Sequence, residues 1–291
     1  MKKYLIACLA IGILLGLSST ARSTTPPTIV VVDTGVDMTN KIVSNRVVGE
    51  VCILVQSTCP NGKNFMEGKG SATLDPVRSQ KNAFYHGTAM AGVIVENSNA
   101  NVIMIRVIGM NPDGTKAASN VSVLEQSIDW VVKNKQKYNI SQVSISLAIR
   151  NTSTCMTNKP IESNVAILKS LGVPVIAGSG NDSDYSGSSF PACVKDVVTI
   201  GATDPASSKG QFPALYSNLS DDFYALGTMN TYISPTTKSR SVGTSNSTAL
   251  FSSNWYKLDK SLSFQQKYDR IKSLAKVVST AKVKNVLVVS Q

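Results

Sequence analysis

The chain contains one histidine, His86, so any imidazole proton transfer near neutral pH happens at one place only. His86 opens the run Tyr85-His86-Gly87-Thr88-Ala89-Met90-Ala91-Gly92, whose small residues lead into apolar Val93-Ile94-Val95. That pattern predicts a tightly packed helix with the imidazole at its start. Gly87 and Gly92 are poor helix formers, so their presence here implies that something approaches the helix backbone closely. A lone histidine is more often structural than catalytic. The catalytic reading therefore needs a nucleophile and an orienting acid from elsewhere in the chain.

The acid is Asp33. It follows Thr28-Ile29-Val30-Val31-Val32, a continuous β-branched run of the kind that forms a buried parallel strand. Thr34-Gly35-Val36-Asp37 comes next, and Gly35 permits a sharp turn. Two chemistries use Asp-Thr-Gly. Aspartic proteolysis needs two carboxylates sharing one proton, and no second Asp-Thr-Gly or Asp-Ser-Gly occurs. The other uses the carboxylate to orient a histidine. Asp37 reads as a turn-stabilising acceptor. The nucleophile candidate is Ser245 in Val242-Gly243-Thr244-Ser245-Asn246-Ser247, where a loop of small residues runs into a helix with an exposed hydroxyl. Gly178-Ser179-Gly180 lacks the full G-x-G-x-x-G spacing of a phosphate loop.

Positioning these groups falls to alternating strands and helices. Besides Thr28–Val32, strands are expected at 47–55, 102–108, 142–147, 173–177 and 197–200. Asn120 to Lys137 reads as an amphipathic helix with Val121, Leu124, Ile128, Val131 and Val132 on one face, and Ile161 to Leu171 as a helix closed by Gly172. Residues 203–244 read as loop, 262–280 as a closing helix and 283–289 as a final strand or extended tail. Alternation at this spacing predicts an α/β fold with a mainly parallel sheet. Ligand sites in such folds lie at the carboxyl ends of strands, and both Asp33 and Asn181 sit just past one.

Lys2-Lys3, an apolar run from Tyr4 to Leu17 and the small residues Ser18 to Ala21 form a secretory leader, expected to be cut near Ala21 or Ser23. The apolar run is short of the roughly 20 residues that a membrane span needs. Leu5-Ile6-Ala7-Cys8 resembles a lipoprotein box, but too little apolar sequence precedes it. Residues 22–291 are then one domain with no recognisable propeptide, secreted or periplasmic. Removing Cys8 leaves Cys52, Cys59, Cys155 and Cys193, an even number in an exported chain. Of three pairings, Cys52–Cys59 and Cys155–Cys193 close the shortest loops and cost least entropy. A metal role for these cysteines is disfavoured, since no Cys-x-x-Cys occurs and the histidine lies elsewhere. The net charge of +11 is scattered, with no nucleic-acid motif, and reads as solvated surface.

Taken together, Asp33-Thr34-Gly35-Val36-Asp37, His86-Gly87-Thr88-Ala89-Met90-Ala91-Gly92 and Gly243-Thr244-Ser245 resemble the three signatures of subtilisin-like serine proteases, in that family's chain order. Gly180-Asn181 with Phe190-Pro191-Ala192 and Val197 to Ala202 is similar to the family's oxyanion segment, and Ser146-Leu147-Ala148 to its substrate-binding edge. The resemblance covers about Thr28 to Ser247. It implies a three-layer α/β sandwich with a mainly parallel central sheet flanked by helices. It also implies an exported endopeptidase that acts on polypeptides as a monomer, without nucleic acid and without membrane contact after leader cleavage. Asp33, His86 and Ser245 would be catalytic, and Asn181 would line the oxyanion hole. Ser146, Leu147, Ala148, Gly178, Ser179 and Gly180 would bind substrate. No cofactor is implied for catalysis. Structural calcium is common in the family, but no contiguous carboxylate-rich loop places it here.

Three departures from the family pattern stand out. Only about a dozen residues lie between the expected leader and Asp33, so no propeptide of the family's length is expected. Asn246-Ser247-Thr248-Ala249 replaces a Met-Ala-x-Pro helix start, and the weak helix formers Ser252, Ser253 and Asn254 predict fraying. Ala148 replaces a glycine, and its methyl is expected to narrow the cleft. They motivate the alternative of a catalytically impaired subtilisin-fold binding protein. Asp182 and Asp184 read as exposed loop acids rather than specificity determinants.

Overall fold

The computed structural model describes residues 26–74, 84–111, 115, 120–150, 154–205 and 211–289. The expected leader, residues 1–21, lies outside these. Among the described residues no helix is long and apolar enough to cross a membrane.

The strands are β1 (Thr28–Asp33), β2 (Val47–Ile53), β3 (Phe65–Glu67), β4 (Asn101–Arg106), β5 (Ile140–Ile145), β6 (Val175–Gly178), β7 (Val198–Pro205), β8 (Gln211–Pro213), β9 (Phe223–Leu226), β10 (Thr228–Tyr232), β11 (Lys238–Val242), β12 (Lys276–Val278) and β13 (Val286–Val288). The main sheet runs β12-β13-β9-β7-β6-β5-β1-β4-β2-β3, with β8 beside β7, while β10 and β11 form a separate hairpin. Neighbours from β13 through β2 pair parallel; β3, β8 and β12 pair antiparallel. This is the α/β architecture that the alternation predicts.

Strand parity decides which helix meets which chemistry. Side chains alternate across a sheet. Val30 and Val32 join Ile103, Ile105, Val143 and Ile145 in a core cluster with Leu124, Ile128, Val165 and Leu168 of the helices Val121–Asn134 and Lys159–Ser170. Ile29 and Val31 join Val102 and Met104 in another, against Met90 and Ile94 of helix His86–Asn97 and Ala249 and Leu250 of helix Thr244–Lys257. Each buried Val or Ile stabilises by about 1.5–3 kcal/mol, so the register is strongly enforced. Asp33 keeps the parity of Ile29 and Val31. Its carboxylate is therefore delivered to the layer that holds the His86 helix.

Local signals set the helix ends. Asn120 and Asn158 cap their helices by accepting the Val123 and Ile161 N–H groups at 3.2 and 2.9 Å. Gly172, at φ +75°, closes Lys159–Ser170. Both expected disulfides are present, with Cα–Cα separations of 5.9 Å for Cys52–Cys59 and 5.7 Å for Cys155–Cys193.

Three expectations change. The closing helix is Phe264–Leu274, and its expected continuation is β12, where Val277 and Val278 pair antiparallel with β13. Residues read as loop contain β9, which adds to the sheet beside β7, and the β10–β11 hairpin. Helix Thr244–Lys257 does not fray. Ser252 and Ser253 are buried; Ser253 Oγ donates to Ala249 O at 3.0 Å and Ser252 Oγ to Ser144 Oγ at 3.1 Å. Packing between the sheet and the His86 helix overrides the weak propensity.

Candidate active site

Asp33 ends β1 and is fully buried. Its Oδ1 and Oδ2 lie 2.8 and 3.0 Å from His86 Nδ1, and the Thr34 N–H donates to Oδ1 at 2.7 Å. A carboxylate can only accept, so Nδ1 carries the proton and the Nε2 lone pair is left as the base. The His86 side chain is 28% exposed, enough to reach a substrate.

The turn after β1 is stitched to the start of the His86 helix. Thr34 Oγ1 donates to Phe84 O at 2.6 Å and accepts the Gly87 N–H at 2.9 Å, while the Asp37 N–H donates to Thr88 Oγ1 at 2.8 Å. A Cβ on Gly87 would lie 2.2 Å from Gly35 O, and one on Gly92 would lie 2.7 Å from Tyr232 Cδ2. These are the close approaches that the two glycines announce. Asp37 Oδ1 accepts from Thr39 N–H and Oγ1 at 2.8 and 2.7 Å, which makes it a turn acceptor.

Ser245 is the second residue of its helix and half-buried. N–H groups in a first helical turn have no intrahelical acceptor and sit at the positive end of the macrodipole. Ser245 Oγ donates to Ser146 O, and Ser146 Oγ donates to Ser245 O, each at 3.2 Å. Among the described residues Ser245 Oγ makes no hydrogen bond to His86.

Asn181 follows β6 and is exposed. Its Oδ1 accepts the Thr244 N–H at 2.9 Å and the Thr244 hydroxyl at 3.1 Å. A residue missed by sequence reasoning holds this loop. Asn218 is buried; its Oδ1 accepts the Asp182 and Asp184 N–H groups at 2.8 and 3.0 Å, its Nδ2 donates to Ser189 Oγ at 3.1 Å, and its own N–H donates to Gly180 O at 3.0 Å. Gly180 stands at φ +113°, and a Cβ there would lie 2.4 Å from Asn218 Nδ2. The only sequence signal was an Asn in an aperiodic stretch, where a buried amide needs several partners.

Ser146, Leu147 and Ala148 leave β5 buried, half-buried and exposed in turn, before Ile149 exchanges main-chain bonds with Phe190 at 2.8 and 3.1 Å. Gly178, Ser179 and Gly180 are buried. Ser179 donates its N–H to Ile200 O at 2.9 Å and its hydroxyl to Asn218 O at 3.0 Å, and its carbonyl accepts the Ser189 N–H at 2.7 Å. Its polar atoms are thus committed inside the fold, behind Asn181. Asp184 Oδ1 accepts from the Ser186 hydroxyl and N–H at 2.5 and 2.9 Å, which holds its carboxyl below the usual range and makes it a local turn acid. Among the described residues no group of three or more His, Cys, Asp or Glu gathers as a metal site, so no residues are assigned to the calcium that the family resemblance suggests.

The model of the subtilase family matches residues 25–289. Two curated relatives are subtilisin-like proteases 2 and 3 of Pseudogymnoascus destructans, 28% and 29% identical over 143 and 157 residues. These alignments cover 47% and 52% of this chain but only 32% and 34% of those proteins. Subtilisin Savinase of Lederbergia lenta is 28% identical over 154 residues, which are 50% of this chain and 52% of that one. Among solved structures, a protease of Pseudoalteromonas arctica superposes with a TM-score of 0.68 over 90% of this chain and 87% of its own, at 18% identity, a likeness of fold.

Proposed function

The chain belongs to the subtilase family, and from that premise we propose that it is an exported serine endopeptidase acting on polypeptides. The observation that carries the reading is the buried Asp33 carboxylate spanning His86 Nδ1 at 2.8 and 3.0 Å. In this account the Ser245 hydroxyl swings from Ser146 O toward His86 as substrate binds, since catalytic hydrogen bonds often tighten only in the substrate complex. Ser245 Oγ attacks the peptide carbonyl while His86 Nε2 takes its proton, and Asp33 stabilises the imidazolium. Asn181 Nδ2 and the Ser245 N–H stabilise the oxyanion. The proton then passes to the leaving amine, and water, activated by His86, releases the acyl group.

An extended substrate would pair with the main chain of Leu147 and Ala148, reached through Ser146. The Ala148 methyl would narrow that edge. Gly178, Ser179 and Gly180 would back the pocket, with Asn181 at its rim. Hydrolysis of casein by the purified protein, abolished in His86→Ala, is the expected result; a folded protein without activity would count against the reading.

A second reading is a binding protein with an impaired site. It is favoured by the paired Ser245–Ser146 bonds, which occupy the nucleophile. The same casein assay separates the two.

A further inference from the structure

At the amino ends of β1, β5 and β6 lies a cavity of about 420 Å³, lined among others by Pro27, Lys135, Ser141, Val173, Lys260 and Lys267. Asp33, Ser146 and Asn181 lie at or just past the carboxyl ends of those same strands, so this cavity and the proposed active site are at opposite ends of the sheet. No carboxylate lines it among the described residues, and none of the three lysines is in an ion pair there.

The placement of these cations needs a cause. Lys135 caps the carboxyl end of helix Val121–Asn134, where a cation is favourable. Lys267 is the reverse case: it sits in the opening turn of helix Phe264–Leu274, at the positive end of the dipole, where no acid accompanies it. Lys260 lies over the Tyr256 ring at 3.4 Å. Burial, and then repulsion from Lys267, pulls the Lys260 ammonium down to about 8. Burial also lowers Lys267, against a smaller opposing pull from Asp259, whose carboxylate accepts from Ser261 N–H and Oγ at 2.9 Å. Two crowded, partly desolvated ammoniums beside a positive helix end form a cavity that an anion would relax.

We propose that this cavity binds a phosphate dianion, free or carried on a larger molecule, with Lys260 and Lys267 as its principal contacts and Lys135 as a third charge. A single carboxylate would neutralise only one ammonium. A tetrahedral dianion offers acceptors to all three, and lysine is a common phosphate ligand. The proposal does not rest on the peptidase reading.

The test is calorimetric titration of the purified protein with inorganic phosphate, repeated on Lys260→Gln/Lys267→Gln, with melting followed in parallel. Saturable binding that weakens at least about tenfold in the double variant is expected. Phosphate should raise the melting temperature of the parent and not of the variant. In phosphate-free buffer the variant should melt no lower than the parent, since it loses a repulsive pair. Co-sedimentation with phosphatidylcholine vesicles containing phosphatidic acid identifies the source. Retention displaced by inorganic phosphate assigns a lipid-borne phosphate, and no retention beside intact phosphate heats assigns the free ion. Absence of saturable heat, or equal affinity in the variant, overturns the site.

Discussion

The Asn181 carboxamide oxygen accepts the main-chain N–H of Thr244 at 2.9 Å, one residue before Ser245. A main-chain N–H only donates, so this bond decides which end of the amide is the oxygen and leaves Nδ2 as the donor end, near the start of the Ser245 helix. The loop after β6 and the first turn of the Ser245 helix are thereby held in one frame.

If that frame is an oxyanion hole, Asn181→Ala should lower kcat by about 10²–10³ with KM little changed. Steady-state kinetics on a chromogenic peptide checks this. A change confined to KM would place Asn181 in ground-state binding instead.

Asn218 holds the chain on both sides of Asn181, through Gly180 O and the Asp182 N–H. Asn218→Ala removes the acceptor for two partly buried loop N–H groups that water can then reach, and should cost roughly 1–3 kcal/mol of stability in all. Urea unfolding measures that loss. Measured well below the transition, kcat should also fall while KM changes less, which a purely structural role would not produce.

How much of this was legible varies by element. The β-branched run before Asp33 announced both the strand and its end, and parity carried the carboxylate to the histidine layer, because burial and alternation are local properties of sequence. Gly87 was legible for the same reason: a glycine in a helix start implied the close approach that Gly35 O makes. Asn218 and the Ser146–Ser245 exchange were not. Their partners lie dozens of residues away, and nothing in a single sequence reports such pairings. Strand β9 was hidden likewise, since Phe223-Tyr224-Ala225-Leu226 becomes a strand by docking on β7. Val277 and Val278 did carry a β-branched hint that the helical reading of 262–280 overrode.

Gly87→Ala tests the stitching beneath His86. A methyl 2.2 Å from Gly35 O cannot be accommodated without moving the Asp33 turn. Destabilisation of about 3 kcal/mol or more is expected, from overpacking against backbone. Denaturant unfolding would show it, and a variant as stable as the parent would contradict the described packing.

Asp33→Asn keeps the shape and removes the charge. With the imidazolium unsupported and the tautomer no longer fixed, kcat should fall by about 10⁴. Substrate binding should be nearly unchanged, as read from KM.

The lysine cavity carries a pH signature. Burial first and Lys267 second pull the Lys260 ammonium down to about 8 from its ordinary 10.5. Between those values the unfolded chain binds more protons, so stability contributed by this group rises with pH across the window and is lost as pH falls through about 8. Partial exposure screens the effect. From about pH 8 to about pH 10 the parent should therefore gain stability relative to Lys260→Gln, because the buried tyrosines, whose raised pKa values act in the opposite sense near pH 10, are common to both. Equal slopes would contradict it.

The convergence of Asp33, His86 and Ser245 on one reaction is tested most directly by a fluorophosphonate probe, with the modified residue mapped by mass spectrometry. The account predicts one adduct, on Ser245, absent in Ser245→Ala and strongly reduced in His86→Ala. A protein with native circular dichroism that takes no label, or takes it on another serine, would contradict the account.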